Sequence, residues 1–168
     1  MSKAQPIRPP LDEATAPSNP FPLFASWLQE ASASDEVYEH NAMTLATATP
    51  DGQPAARIVL MRNYDERGFC FYTNYASRKG LELAENARAA LLFWWGALGR
   101  QVRIEGNVER LNAAESDAYY HSRPLGSRLG AWVSPQSQVI ASRTILEEGL
   151  QQLAAQYADQ PPPRPADW

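Results

Sequence analysis

Four apolar residues, Phe21, Phe24, Trp27 and Leu28, recur at helical spacing and predict an amphipathic helix over 21–31. From residue 42 the period changes. Residues 42–49 read as a strand, Pro50-Asp51-Gly52 as a hairpin turn, and 55–64 as the returning strand. A second turn at 65–68 leads to a third strand over 69–73. The spacing then predicts a short helix over 77–86, a fourth strand over 89–95 and a long fifth strand over 101–111. Residues 113–122 read as a helix stopped by Pro124 and Gly126. The last helix, 142–157, carries Ile145, Leu146, Leu150 and Leu153 on one face and is broken by Pro161-Pro162-Pro163. Residues 1–20 have no apolar period and contain Pro6, Pro9, Pro10, Pro17 and Pro20, which predicts a flexible arm ahead of a single domain over 21–168.

Strands joined by tight turns, with helices at corners and ends, predict a mainly β fold: an antiparallel barrel with peripheral helices. No strand is followed by Gly-x-Gly-x-x-Gly or by a phosphate-binding Gly-Lys-Ser/Thr loop, which argues against dinucleotide and P-loop folds.

Composition narrows the function classes. At 168 residues, 44% hydrophobic and 20% charged, the chain suits one soluble domain. No apolar run approaches the ~20 residues of a membrane helix. Met1 to Pro6 leads into prolines instead of an apolar core, so no secretory signal is expected. The single cysteine, Cys70, cannot form an intrachain disulfide, which suits the cytoplasm; within Phe69-Cys70-Phe71-Tyr72 it reads as a small buried hydrophobe. Net charge is −4, against general nucleic-acid binding. Twelve of 15 basic residues but only 8 of 19 acidic ones lie between Arg57 and Arg143, a balance of +4 against −8 in the flanks. A basic middle in an acidic protein suits a small anionic ligand, and equally a drift of surface charge.

Three segments could carry chemistry. Ser77-Arg78-Lys79-Gly80 opens a helix with Ser77 as N-cap and two cations in the first turn, against the helix dipole. A phosphate at the helix start would resolve that conflict, as would solvent screening. Arg57 to Arg62 places cations five apart on an apolar strand, where they face opposite ways unless a bulge intervenes. Tyr119 and Arg123 lie four apart on one helix face and Ser127 follows a turn, which makes either an anion cradle or ordinary packing. Gln101, Arg103 and Glu105 share one face of the fifth strand, and Trp94 and Trp95 before it read as core or interface aromatics. His40 and His121 have no neighbouring ligand pattern, so no metal is expected.

In this order, the chain resembles the pyridoxine/pyridoxamine 5′-phosphate oxidases. The matching stretches are Asn41-Ala42-Met43, Arg57-Ile58-Val59-Leu60, Phe71-Tyr72-Thr73-Asn74, Ser77-Arg78-Lys79, Arg100-Gln101-Val102, Tyr120-His121-Ser122-Arg123-Pro124 and Gly130 through Ser137. The resemblance implies an FMN-binding split β-barrel, Greek-key-like, working as a homodimer with FMN at the subunit interface. It implies that Arg57, Arg78, Lys79, Gln136 and Ser137 hold the flavin phosphate and ribityl chain. Backbone from Ile58 through Val59 and Leu60 to Met61 and Arg62, with Tyr72, Thr73 and Gln101, would line the flavin. Arg62, Tyr119, Arg123 and Ser127 would hold the phosphate of a B6 vitamer, whose oxidation to pyridoxal 5′-phosphate reduces O2 to H2O2. No catalytic side chain is assigned, because the hard chemistry belongs to the cofactor.

Two departures shape the expectation. Arg62 stands where many relatives carry lysine. The family continues beyond the position of Trp168 with an Arg-Leu-His-containing segment that contacts the substrate, so a fragment or a shortened relative with altered activity is expected. The alternatives are a flavin oxidase or reductase with another substrate, and a non-catalytic protein that holds FMN or pyridoxal phosphate.

Overall fold

The structure, a computed structural model, describes residues 11–168. Of the arm expected over 1–20, residues 1–10 lie outside the described residues, and 11–19 form turns without helix or strand. The chain divides into two compact units, each drawn from separated stretches. The first takes in the described residues through Ala46, with Ala56–Phe71 and Ala90–Glu105. The second comprises Thr47–Ala55, Tyr72–Ala89 and Gly106–Trp168.

The first helix, α1 (Pro20–Ser32), begins where Asn19 accepts a hydrogen bond from the Phe21 N–H and Pro20 occupies the first turn, a sequence suited to a helix start. Its Phe24 is 5% exposed and meets Tyr64, Phe69 and Phe93 edge-on at 4.9–5.4 Å. This aromatic cluster is the core of the first unit, and Trp95 joins it while donating its indole N–H to the His40 carbonyl at 2.9 Å. Trp95 is therefore a core residue. Trp94, one position on, is 64% exposed, as strand alternation requires.

Strand β1 (Ala42–Ala48) buries Met43, Leu45 and Thr47 on alternate positions and turns through Gly52, at φ +91°, into β2 (Pro54–Leu60). The predicted strand to 64 is interrupted. Strand β2 ends at Leu60: Met61 still donates its N–H to the Asn41 carbonyl at 2.8 Å, but its own carbonyl accepts from the Asn41 side-chain amide at 3.2 Å, and Arg62 donates to the Cys70 carbonyl at 2.8 Å. The chain resumes as β3 (Asn63–Asp65), antiparallel to β4 (Gly68–Cys70) with Tyr64 opposite Phe69. The third strand is thus shorter than its apolar run suggested.

Strands β5 (Arg88–Trp95) and β6 (Arg100–Asn107) complete a four-stranded sheet of order β2-β1-β5-β6. The helices are α2 (Arg78–Glu85), α3 (Ala113–Ser122), α4 (Leu125–Val133) and α5 (Thr144–Gln156). The architecture is the expected antiparallel sheet with peripheral helices. Helix α4 corrects the reading that Pro124 and Gly126 merely stop a helix. Pro124 ends α3 but caps α4 with φ −53°, and Leu129 anchors the new helix at 4% exposure.

Candidate functional site

The start of α2 is a polar cluster within the second unit. Ser77, fully buried, caps the helix: its hydroxyl accepts from the Gly80 N–H at 3.3 Å and donates to the Asn74 carbonyl at 2.6 Å. A Cβ at position 80 would stand 2.3 Å from the Tyr75 carbonyl oxygen, so glycine lets the 74–75 backbone lie against this turn. That approach brings Thr73 beside Lys79. The Lys79 ammonium donates to Thr73 Oγ1 at 3.0 Å, Ser77 Oγ at 3.3 Å and Gln136 Oε1 at 2.7 Å. Thr73 also donates to Gln136, at 3.3 Å.

Gln136 arrives on a turn in which Gln138 donates its N–H to the Pro135 carbonyl at 3.1 Å. Ser137 in that turn has φ 69°, a left-handed conformation that costs a non-glycine residue about 1–2 kcal/mol. Such strain gathers at functional sites. Arg78, 64% exposed along its side chain, pairs through Nε with Glu82 Oε1 at 2.8 Å. Glu82 is 5% exposed, and its second oxygen accepts from the Thr47 hydroxyl.

The end of α3 is built differently. Tyr72 and Tyr119 stack with ring centroids 3.8 Å apart and planes 12° apart, and Trp168 lies nearly parallel to both, at 5.5 and 6.0 Å. Arg123, at the C-cap of α3, places its guanidinium carbon 4.9 Å above the Trp168 ring. Arg123 Nη1 is buried and has no hydrogen-bond partner. Ser127 is exposed in the first turn of α4, where its N–H donates to the Pro124 carbonyl at 3.0 Å.

The structure therefore gathers Thr73, Lys79 and Gln136 at one place, and Tyr72, Tyr119 and Arg123 at another. No contact brings the Ser127 hydroxyl to Arg123. The other candidates belong to the first unit. Arg57 donates to the Leu45 carbonyl at 3.3 Å, Ile58 is 64% exposed, Val59 and Leu60 are half-buried, and Met61 is buried. Arg62 is exposed after β2 has ended, so the facing argument for Arg57 and Arg62 on one regular strand does not apply. Gln101 is exposed on β6 with Arg103 and Glu105, on the face their alternation predicts.

Sequence reasoning missed two participants. Glu82 was legible in principle, four residues after Arg78 on the same helix. Trp168 carries no local signal, because contacts far back along the chain position it.

Comparison with known proteins gives this geometry a family. The family model for pyridoxamine 5′-phosphate oxidase matches residues 30–157. The pyridoxine/pyridoxamine 5′-phosphate oxidase of Trichormus variabilis is 56% identical over 158 residues, which cover 94% of this chain and 73% of that protein. Among solved structures, PhzG from Burkholderia lata, in complex with tetrahydrophenazine-1-carboxylic acid, superposes with a TM-score of 0.85 at 33% identity, over 92% of this chain and 75% of PhzG. A pyridoxamine 5′-phosphate oxidase-related, FMN binding protein from Nostoc punctiforme shares the fold, with a TM-score of 0.61 at 18% identity over 79% of this chain and 71% of its own. The ordered motifs, the architecture and these matches agree: the chain belongs to the pyridoxamine 5′-phosphate oxidase family.

Proposed function

We propose that this chain is an FMN-dependent oxidase that converts pyridoxine 5′-phosphate or pyridoxamine 5′-phosphate to pyridoxal 5′-phosphate, with O2 reduced to H2O2. The observation that carries this reading is a pair of separate cation-centred sites in one unit, Lys79 with Thr73 and Gln136, and Arg123 with Tyr119. Such a reaction brings together two phosphates, one on the flavin and one on the substrate. The family and the fold support FMN as the cofactor.

The donor set fits that group. An ammonium, two hydroxyls and an amide meet at a helix start, the arrangement a phosphate monoester needs. Arg57, Arg78, Lys79, Gln136 and Ser137 would hold the phosphate and ribityl chain, while Tyr72, Thr73, Gln101 and the 58–62 backbone would line the ring system. When bound, FMN supplies the hydride acceptor and the reactivity toward O2. The residues that would orient the substrate are Tyr119, Arg123, Arg62 and Ser127, acting on its phosphate. Orientation of this kind is worth up to about 7–11 kcal/mol of barrier.

The reading includes a cytoplasmic homodimer with FMN at the subunit interface. Trp94 and Gln101, both exposed, would belong to the contact; a monomer by sedimentation that retains FMN overturns this part. The likeness to PhzG supports a second reading, a flavin oxidase of the same fold acting on another substrate. The deciding experiment is H2O2 release by the yellow, FMN-loaded protein with pyridoxine 5′-phosphate. Unphosphorylated pyridoxine should be a poor substrate. Release of H2O2 only with a tetrahydrophenazine carboxylate selects the second reading, and pyridoxal phosphate binding without turnover selects a non-catalytic holder.

A further inference from the structure

We propose that Trp168 is a positioning residue for Arg123: its indole holds the guanidinium by the flat face, so that the donor edge stays available to a phosphate monoester. The proposal rests on the reading of Tyr119 and Arg123 as a substrate-phosphate cradle.

A guanidinium carries five N–H donors in one plane and presents two apolar faces. A carboxylate takes donors along the edge. Glu82 does so at Arg78 (2.8 Å) and Asp117 at Arg164 (2.6 Å). Among the described residues no carboxylate pairs with Arg123. The Arg123 guanidinium carbon lies over the Trp168 ring, 4.9 Å from its centroid and within the roughly 6 Å range of a cation–π contact, for which indole is the best ring. The edge is left uncommitted, and Nη1 is buried without an acceptor. A buried donor with no partner is costly, and an incoming phosphate oxygen relieves that cost.

The indole is itself held firmly. Pro162 is fully buried, and Trp132 donates its indole N–H to the Pro163 carbonyl at 2.8 Å. Arg164 bonds Asp117 and the Trp168 carbonyl, and the Asn74 amide donates to Asp167 at 3.0 Å. Trp168 is 8% exposed, with Tyr120 edge-on at 5.1 Å. The same indole lies parallel to Tyr119, with planes 4° apart. It therefore sets Tyr119 and Arg123 in register with each other.

The test uses the FMN-loaded full chain and an unreactive probe, 4-deoxypyridoxine 5′-phosphate, compared with 4-deoxypyridoxine by equilibrium dialysis. Trp168→Met keeps an apolar side chain there without a π face. It should weaken the phosphorylated probe roughly fivefold to thirtyfold and leave the unphosphorylated probe unchanged. Trp168→Phe, with a weaker face, should lose only about two- to threefold. Wild-type affinity in Trp168→Met, alongside a clear loss in Arg123→Ala, overturns the proposal alone. No loss in Arg123→Ala overturns the cradle reading and the proposal with it. Should Trp168→Met not fold, uniform incorporation of fluorinated tryptophans decides the matter. Affinity for the phosphorylated probe should fall stepwise with fluorination in the wild-type chain and stay flat in Arg123→Ala; a flat wild-type series overturns the proposal.

Discussion

The start of α2 and the end of α3 each hold a cation fit for a phosphate, and they hold it by opposite means. Around Lys79 the oxygens of Thr73, Ser77 and Gln136 lie within 2.7–3.3 Å, so the ammonium is already solvated by protein. Arg123 lies over the Trp168 ring, itself stacked on Tyr119, and a buried nitrogen of its guanidinium has no acceptor. A ligand phosphate at the first place must exchange with existing hydrogen bonds, and the gain is the difference between charged and neutral acceptors. At the second it fills an unmet need. Hydrogen-bonded preorganisation suits a resident cofactor, whose site should persist when empty. An unsatisfied donor suits a substrate that comes and goes.

The largest expected effect breaks the first region. Lys79→Ala removes the donor on which three oxygens converge. Loss of a charge-assisted bond to phosphate should weaken FMN by roughly 1.5–3 kcal/mol, about ten- to hundredfold, and leave riboflavin nearly unaffected. Flavin fluorescence quenching reads both affinities. Equal weakening of the two flavins would remove Lys79 from the phosphate and dissolve the comparison.

A smaller effect tests what stiffens that region. Glu82 is the buried acid behind Arg78, and the hydroxyl of Thr47, itself 4% exposed, donates to it. Glu82→Ala removes the bond this hydroxyl makes to the buried carboxylate, for a loss of about 2 kcal/mol in urea denaturation. The exposed Arg78 contributes little to that figure, because water screens the pair. Glu82→Gln keeps an acceptor and should cost less than half as much. A wild-type midpoint in Glu82→Ala would show that the acid does not support the cluster.

The two regions also differed in how far they could be read beforehand. The α2 start was legible because its logic is local: Ser77 as cap, two cations in the first turn and a glycine at the third position lie within four residues. The hairpin at Asp51-Gly52 and the alternation on β6 were legible for the same reason. The α3 end was half legible. Tyr119 and Arg123 share a helix face by spacing alone, but the indole above Arg123 comes from 45 positions further along, which no periodicity reports. Helix α4 was missed because proline and glycine read the same at a helix end and at a helix start, and only the buried Leu129 decides between them. The break after Leu60 was invisible because the bonds around it, from the Asn41 side chain to Met61 and from Arg62 to Cys70, join residues far apart along the chain.

The smallest expected effect sharpens the second region. Tyr120 supports Trp168 from the side, edge-on at 5.1 Å, and its fully buried phenol donates to the Arg128 carbonyl at 3.0 Å. Tyr120→Phe keeps the ring and loses only that bond, so it should cost about 1 kcal/mol at neutral pH. Binding of FMN and of the phosphorylated probe should not change. The cost should also depend on pH. Burial raises the phenol above its ordinary value of 10.0, although the Trp132 contact and the charges of Arg128 and Arg123 pull the other way. The unfolded chain then loses this proton before the folded one does. Stability contributed by the neutral phenol is fully present below about pH 10 and is lost as pH rises through the folded value. The six other tyrosines are common to both proteins, so the difference between wild type and Tyr120→Phe isolates this group. Urea denaturation from pH 7 to 11 should show that difference constant up to about pH 10 and shrinking above it. A difference that stays constant to pH 11 would mean the phenol is not held neutral by the fold, and the side support for Trp168 would then be the ring alone.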